Sequence, residues 1–264
     1  MGSKARSGLP DAVGDQRMSD AGSSPRRDAE RPKIIAAILD VDGVLLASPH
    51  ERAWREALEG IADPARFTTA MYQADVAGKP RQSGAFAALE ALGVAGAERL
   101  APAYAVKKQS RLEELIRAGQ VEAFPDALRF VRAIRSRGLP MAVASSSRNA
   151  NEMMRLIKMD GGESLLDMFA ANVCGVDLTH GKPDPEIFLL AAKALGVSPV
   201  RCFVAEDAPA GIEAACAGGM VGLGVARLSD AAGLCAAGAD LVVTSLDEVA
   251  MDALAGGRLC RRAT

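Results

Sequence analysis

Two carboxylates two residues apart close an apolar run near the start of the chain. The segment reads Ile34-Ile35-Ala36-Ala37-Ile38-Leu39-Asp40-Val41-Asp42-Gly43-Val44. The run is short and largely β-branched or small, the pattern of a buried parallel strand. Acids at the carboxyl end of such a strand stand where open α/β sheets place ligands. Gly43 lets the chain turn sharply just past them. Asp-x-Asp-Gly alone would equally suit a strand capped by a polar turn, and three later segments decide between the two.

Ala142-Val143-Ala144-Ser145-Ser146-Ser147 is a second apolar run, ending in hydroxyls. Gly181-Lys182-Pro183-Asp184-Pro185 puts a lysine in a rigid turn before a helix. Cys202-Phe203-Val204-Ala205-Glu206-Asp207 is a third run, ending in adjacent acids. Parallel strands collect their carboxyl ends on one edge of a sheet. That edge therefore gathers Asp40, Asp42, Ser145, Lys182, Glu206 and Asp207. A hydroxyl, an amine and four carboxylates suit Mg²⁺ and phosphate, because Mg²⁺ takes hard oxygens and keeps part of its shell for water or phosphate.

In these motifs the chain resembles the haloacid dehalogenase superfamily, in order and in spacing, over about residues 33–250. Asp42 is similar to the second aspartate of the phosphatases and phosphomutases in that superfamily. The resemblance implies a Rossmann-like three-layer α/β core with a parallel sheet and an inserted helical cap. It implies Asp40 as nucleophile, Asp42 as general acid and base, and Lys182 and Ser145 as groups that hold the transferring phosphate. Mg²⁺ would be held by Asp40, Asp207, the backbone of Asp42 and Glu206, with Glu206 alternatively orienting the others.

The elements that position these residues follow from patterning. Residues 1–32 are rich in Ser, Gly, Arg and Asp and lack apolar periodicity. They predict a disordered tail without the apolar stretch of a signal peptide, and Met18 within it is a second candidate initiator. Asp63-Pro64 predicts a helix start, with Phe67, Ala70 and Met71 following at helical spacing. Ser83 predicts the opening of another helix, and a long one runs from about Ala97 to Ala118. No strand is predicted between Ala47 and Glu122. The reading is a catalytic core over residues 33–46 and 125–264, with a helical cap over residues 47–124. After Phe124 strands and helices alternate, which implies a parallel sheet with right-handed crossovers and helices on both faces. The resemblance places the first strand between those ending at Ser145 and at Asp207.

The cap carries the specificity signals. His50-Glu51-Arg52-Ala53-Trp54 opens it, Gly78-Lys79-Pro80-Arg81 is a cationic turn, and Lys107-Lys108-Gln109 lies on the long helix. Ser147-Arg148-Asn149 lies beneath. These stretches are similar to the β-phosphoglucomutase branch of the superfamily. That likeness implies His50 and Lys108 beside the general acid, and Arg81, Ser147, Arg148 and Asn149 around a second, non-transferring phosphate. The chain departs from that branch at Gln82-Ser83, where an acid is expected two residues after the arginine, and at Ala208, where a hydroxyl is usual. The connection from Asp42 to His50 is also slightly shorter.

Composition narrows the classes. The chain is 49% hydrophobic but only 4% aromatic, so alanine, leucine and valine must fill a sizeable core. A net charge of −2 gives no electrostatic reason to expect nucleic acid or an acidic membrane. No window has the length of a membrane span. Five scattered cysteines without C-x-x-C predict reduced, buried thiols in a cytoplasmic protein. The expected substrate is a small phosphorylated metabolite, a sugar phosphate above all. Three functions follow: a mutase with two phosphate sites, a phosphatase with one, and a non-catalytic binder, which would not need Asp40, Asp42 and Lys182 together.

Overall fold

Four small or branched apolar residues, all buried, form β1 (Ala36–Leu39). The structure, a computed structural model, describes residues 32–227 and 231–263. Two short strands follow, β2 (Leu46–Ala47) and β3 (Glu122–Ala123). Then come β4 (Met141–Val143), β5 (Ala171–Asn172), β6 (Cys202–Glu206), β7 (Val221–Val225) and β8 (Leu241–Val243). Six of them make one sheet in the order β5-β4-β1-β6-β7-β8, with every pairing parallel. β1 is central, as expected. Leu39 is level with Val143 on one side and with Ala205 on the other. Asp40, Ala144 and Glu206 therefore end three neighbouring strands in step.

Side chains alternate across the sheet, and each face has its own cover. Ala37, Leu39, Val143 and Phe203 pack against Phe130, Val131 and Ile134 of α5 (Pro125–Ser136). Phe130 and Phe203 meet edge to face at 6.3 Å. Ala36, Ile38, Ala142 and Val204 pack against α7 (Glu186–Leu195) and α8 (Pro209–Ala217). Alanines on that face let helix and sheet approach closely, which is how a core poor in aromatics fills its volume. The result is the expected three-layer α/β core.

Between β2 and β3 the chain is helical: α1 (His50–Glu56), α2 (Thr69–Met71), α3 (Arg81–Ala91) and α4 (Ala97–Arg117). These helices bury a cluster of their own, including Trp54, Leu58, Phe67, Leu89 and Tyr104. The Tyr104 hydroxyl donates to Trp54 O at 2.7 Å. α4 joins two cores: Ala101, Tyr104 and Ala105 lie in the helical cluster, whereas Leu112, Leu115 and Ile116 belong to the sheet cluster. After α5 come α6 (Ala150–Leu156), α7 and α8, then α9 (Ala231–Ala236) and α10 (Met251–Ala255), the last two not anticipated from sequence.

Several expectations need correction. The connections into and out of the insert pair as an antiparallel ribbon, Leu46 with Ala123 and Ala47 with Glu122. Two-residue strands carry no readable periodicity. Asp63 caps only a 3₁₀ turn, Pro64–Arg66, by accepting from Ala65 N. Helix α2 is capped instead by Thr68, whose Oγ1 accepts from Met71 N, and it runs into a π-helical turn at Tyr72–Val76. The helix expected to open at Ser83 opens at Arg81, because Pro80 O already accepts from Gly84 N, and Ser83 Oγ donates to the same carbonyl. Of the five cysteines only Cys174 and Cys202 are buried; Cys216 and Cys235 are exposed, on α8 and α9. The expected tail, residues 1–32, lies outside the described residues apart from Pro32. Among the described residues no helix is long and apolar enough to cross a membrane.

Candidate active site

The strand ends bring charge together out of water. Asp40, Lys182 and Glu206 are all buried. Lys182 Nζ donates to Asp40 Oδ1 at 2.6 Å and also to Glu206 Oε1. The same ammonium lies over the Phe188 ring, 5.1 Å from its centre. Glu206 Oε2 accepts from the backbone N–H groups of Asp207 and Ala208. A β-carbon at Gly211 would lie 2.1 Å from Glu206 Cδ, so only glycine there lets this side chain tuck under α8. Glu206 is thus held by partners on both oxygens.

One ammonium faces three carboxylates. Oxygens of Asp40, Glu206 and Asp207 all lie within 4.8 Å of one another. Burial raises the Asp40 pKa above the usual carboxylate range, against the pull of Lys182. Burial, then Glu206 and Asp40, pushes Asp207 well above it. Burial also opposes the charge on Lys182, but Asp40 and Glu206 outweigh it and hold the ammonium protonated. Buried charge of one sign is costly unless paired. A small hard cation among these oxygens would supply the missing charge, so the donor set fits Mg²⁺.

Asp42 stands on the other side of the turn. Leu45 N and Leu46 N both donate to Val41 O, and Gly43 N donates to Leu46 O, which closes a tight loop. Asp42 Oδ1 is buried and accepts no hydrogen bond among the described residues. His50 Nε2 lies 3.7 Å from it. Lys108 Nζ stands 3.0 Å from His50 Nδ1 and 4.7 Å from the centre of the Trp54 ring. Burial, with Lys108 adding to it and Asp42 opposing, pushes His50 down to about 4. The imidazole is neutral at pH 7. Its Nδ1 then accepts from Lys108, and its Nε2–H faces Asp42 and Ser147 Oγ, the latter at 3.3 Å. Lys108 is only 3% exposed, whereas Lys107 is exposed and donates to Glu59 O.

Ser145 Oγ accepts from Ser147 N, which leaves its own O–H free to donate. Two N–H groups at the helix start are engaged locally, Ser147 N with Ser145 Oγ and Asn149 N with Ser147 Oγ. A cavity of about 790 Å³ is lined by every predicted site residue: Asp40, Asp42, Ser145, Lys182, Glu206 and Asp207 from the core, and His50, Arg81, Lys108, Ser147, Arg148 and Asn149 around them. Arg148 makes an outlying ion pair with Asp177, its side chain 70% exposed. Asn149 Oδ1 accepts from Gln109 Nε2. His180 is exposed and lies outside the lining, its N–H donating to Glu186.

Three lining residues were not singled out from sequence. Tyr72 sits in the π-helical turn, an irregularity often found at functional sites. Burial, then the charges of Asp42 and Asp207, keeps its phenol protonated. Ser146 Oγ is buried without a partner among the described residues. Arg227 lies just beyond β7. A cation at a strand's carboxyl end was the available signal for it.

Comparison with known proteins places this geometry. A family model of haloacid dehalogenase-like hydrolases matches residues 34–219. The chain belongs to that family. It is 32% identical over 246 residues to a β-phosphoglucomutase of Mycobacterium bovis, covering 82% of this chain and 92% of that one. It is 31% identical over 213 residues to a phosphorylated carbohydrates phosphatase of Thermotoga maritima, covering 79% and 93%. The fold matches the crystal structure of an archaeal β-phosphoglucomutase from Pyrococcus sp. strain ST 04 with a TM-score of 0.66, at 32% identity, over 85% of this chain and 100% of that one. This haloacid dehalogenase-like protein is an enzyme, a phosphomutase or a phosphatase.

Proposed function

We propose that this enzyme transfers a phosphoryl group on a sugar phosphate, in the manner of a β-phosphoglucomutase, through a phosphorylated Asp40. Asp40, Asp207 and Glu206, with the Asp42 carbonyl, would hold Mg²⁺, which when bound compensates the charge of anion meeting anion and stabilises the phosphoryl oxygens. The Asp40 carboxylate attacks phosphorus and forms an acyl phosphate as the bond to the sugar oxygen breaks. Asp42 gives its proton to that oxygen, then takes one from the oxygen that attacks next. Lys182 orients Asp40 and, with the Ser145 hydroxyl, grips the phosphoryl oxygens. Neutral His50, backed by Lys108, offers Asp42 an N–H partner.

One observation carries the mutase reading. The cavity that contains Asp40 also presents Arg81, Arg148, Ser147 and Asn149, a second group set suited to phosphate. A bisphosphate could turn over between the two. Residues 47–124 would act as a cap that closes on the core formed by 33–46 and 125–264, and so keep water from the acyl phosphate. The phosphatase reading has its own support: Arg148 is already paired with Asp177 and largely exposed. A weaker second site would hold no bisphosphate, and water would take the phosphoryl group.

The test is turnover of β-glucose 1-phosphate, with and without a trace of glucose 1,6-bisphosphate, following glucose 6-phosphate and free phosphate. The mutase makes glucose 6-phosphate, is stimulated by bisphosphate and releases little phosphate. Phosphate release equal to substrate loss would assign a phosphatase instead. Full activity in excess chelator, or in Asp40→Asn, would overturn the mechanism.

A further inference from the structure

Arg227 uses all three guanidinium nitrogens and stacks one face on a ring. Nε donates to Gly43 O and Nη2 to Val44 O, both at 2.9 Å. Nη1 lies 3.0 Å from each oxygen of Asp126. The guanidinium carbon sits 3.8 Å above the centre of the Phe124 ring. Asp126 in turn accepts from Ser245 Oγ at 2.9 Å and Leu246 N at 2.8 Å. The side chains of Arg227 and Asp126 are 12% and 9% exposed.

These contacts converge on the turn that carries Asp42. Gly43 and Val44, the two carbonyls gripped, directly follow it. On its other side the same turn touches Asp207 through Gly43. Phe124, beneath the guanidinium, ends the return from the helical insert, and its N–H donates to Leu45 O. One side chain at the end of β7 thus holds both the outgoing and the returning connection. Only a planar fork of donors can meet two carbonyls and a carboxylate at once while stacking on a ring.

We propose that Arg227 is a positioning residue: it fixes the 42–44 turn so that the Asp42 carboxylate meets the leaving oxygen, and Asp126 sets the plane of its guanidinium. This rests on the reading of Asp42 as the proton-transfer group. Arg227 itself touches no reacting atom. Its removal should therefore cost turnover through Asp42, beyond any cost to folding.

The test is a double-mutant cycle with two monophosphates, phenyl phosphate as poor leaving group and nitrophenyl phosphate as good one. Arg227→Met keeps an aliphatic stem over Phe124 and removes all donors. It should lower kcat for phenyl phosphate about tenfold to a hundredfold, the usual effect of losing a supporting partner. KM should hold, and nitrophenyl phosphate should suffer less. Arg227→Met combined with Asp42→Asn should be within about twofold of Asp42→Asn alone. Losses that multiply, or that fall equally on both substrates, would overturn the proposal and leave Asp42 in its role. Full activity in Asp42→Asn would overturn both. Thermal melts control for folding. If Arg227→Met does not fold, Arg227→Lys, which keeps the charge beside Asp126 but not the fork, is read in the same cycle against the same outcomes.

Discussion

A β-carbon added to Gly43 would lie 1.8 Å from Asp207 Oδ2. The carboxylate occupies the space that any other side chain would fill, and Gly43 has a φ of +75°, in the left-handed region. The Asp-x-Asp-Gly turn and the acidic end of β6 are therefore built against each other. Gly43→Ala must move Asp207. It should lower turnover by about a hundredfold, the effect of misplacing a reacting group by an ångström, and weaken Mg²⁺ binding measured by calorimetry. Wild-type metal affinity in that variant would refute the contact's importance.

Asp42→Asn separates proton transfer from metal binding. The change keeps size and backbone. Turnover of poor leaving groups should drop by about two to four powers of ten, nitrophenyl phosphate should lose much less, and the Mg²⁺ requirement should persist. Equal losses on both substrates would make Asp42 a structural residue.

Arg81→Ala distinguishes the two readings of function. If Arg81 holds the phosphate that is not transferred, use of glucose 1,6-bisphosphate should fall severely. Nitrophenyl phosphate, with no second phosphate, should be spared. Similar losses on both would favour the phosphatase.

Lys108 sets a pH dependence. Burial pushes its ammonium down to about 8, with Asp42 opposing and Arg81 adding to the shift. Above that pH the group loses its charge, so the cavity attracts a phosphorylated substrate less. KM should rise between about pH 7 and 9, and Lys108→Met should flatten that rise. An unchanged profile in the variant would place the titration elsewhere.

Asp126 makes stability depend on acid. Burial raises its affinity for protons, but bonds from Arg227, Leu246 and Ser245 outweigh this and hold its pKa below the ordinary value. The folded value is thus lower than the unfolded one, about 3.9. Its stabilisation is present above that pH and is lost as pH falls through the folded value. Asp126→Asn should cost about 3 kcal/mol near neutrality, as for a broken buried pair. The gap between the two urea midpoints should close below about pH 4. A gap independent of pH would show that the ion pair contributes nothing.

The core was legible because its signals are local. The runs ending at Asp40, Ser145 and Glu206 each combine an apolar strand with a polar end, and parallel topology carries those ends to one edge. Helices α5 and α7 announce themselves by spacing and by the glycines that follow them, Gly138 and Gly196; α9 and α10, of six and five residues, are too short to show a period. The ribbon of Leu46–Ala47 with Glu122–Ala123 was not legible, since two residues have no period. Cys216 and Cys235 misled because a thiol's burial depends on what covers its helix, not on the thiol.

The sequence by itself determined the strand–helix alternation of the core and which charged residues gather at the sheet edge, since these follow from period, turn chemistry and the geometry of parallel strands, and the resemblance of its motifs gave the family. Only the tertiary structure decided partners. It buried Lys108 and left Lys107 in water, although the two are adjacent. It put Lys182 between Asp40 and Glu206, set Gly43 against Asp207, and brought Arg227 to Asp126 and the Asp42 turn. Such choices depend on packing between residues far apart in the chain, where burial strengthens each charge interaction and makes an unpaired one costly.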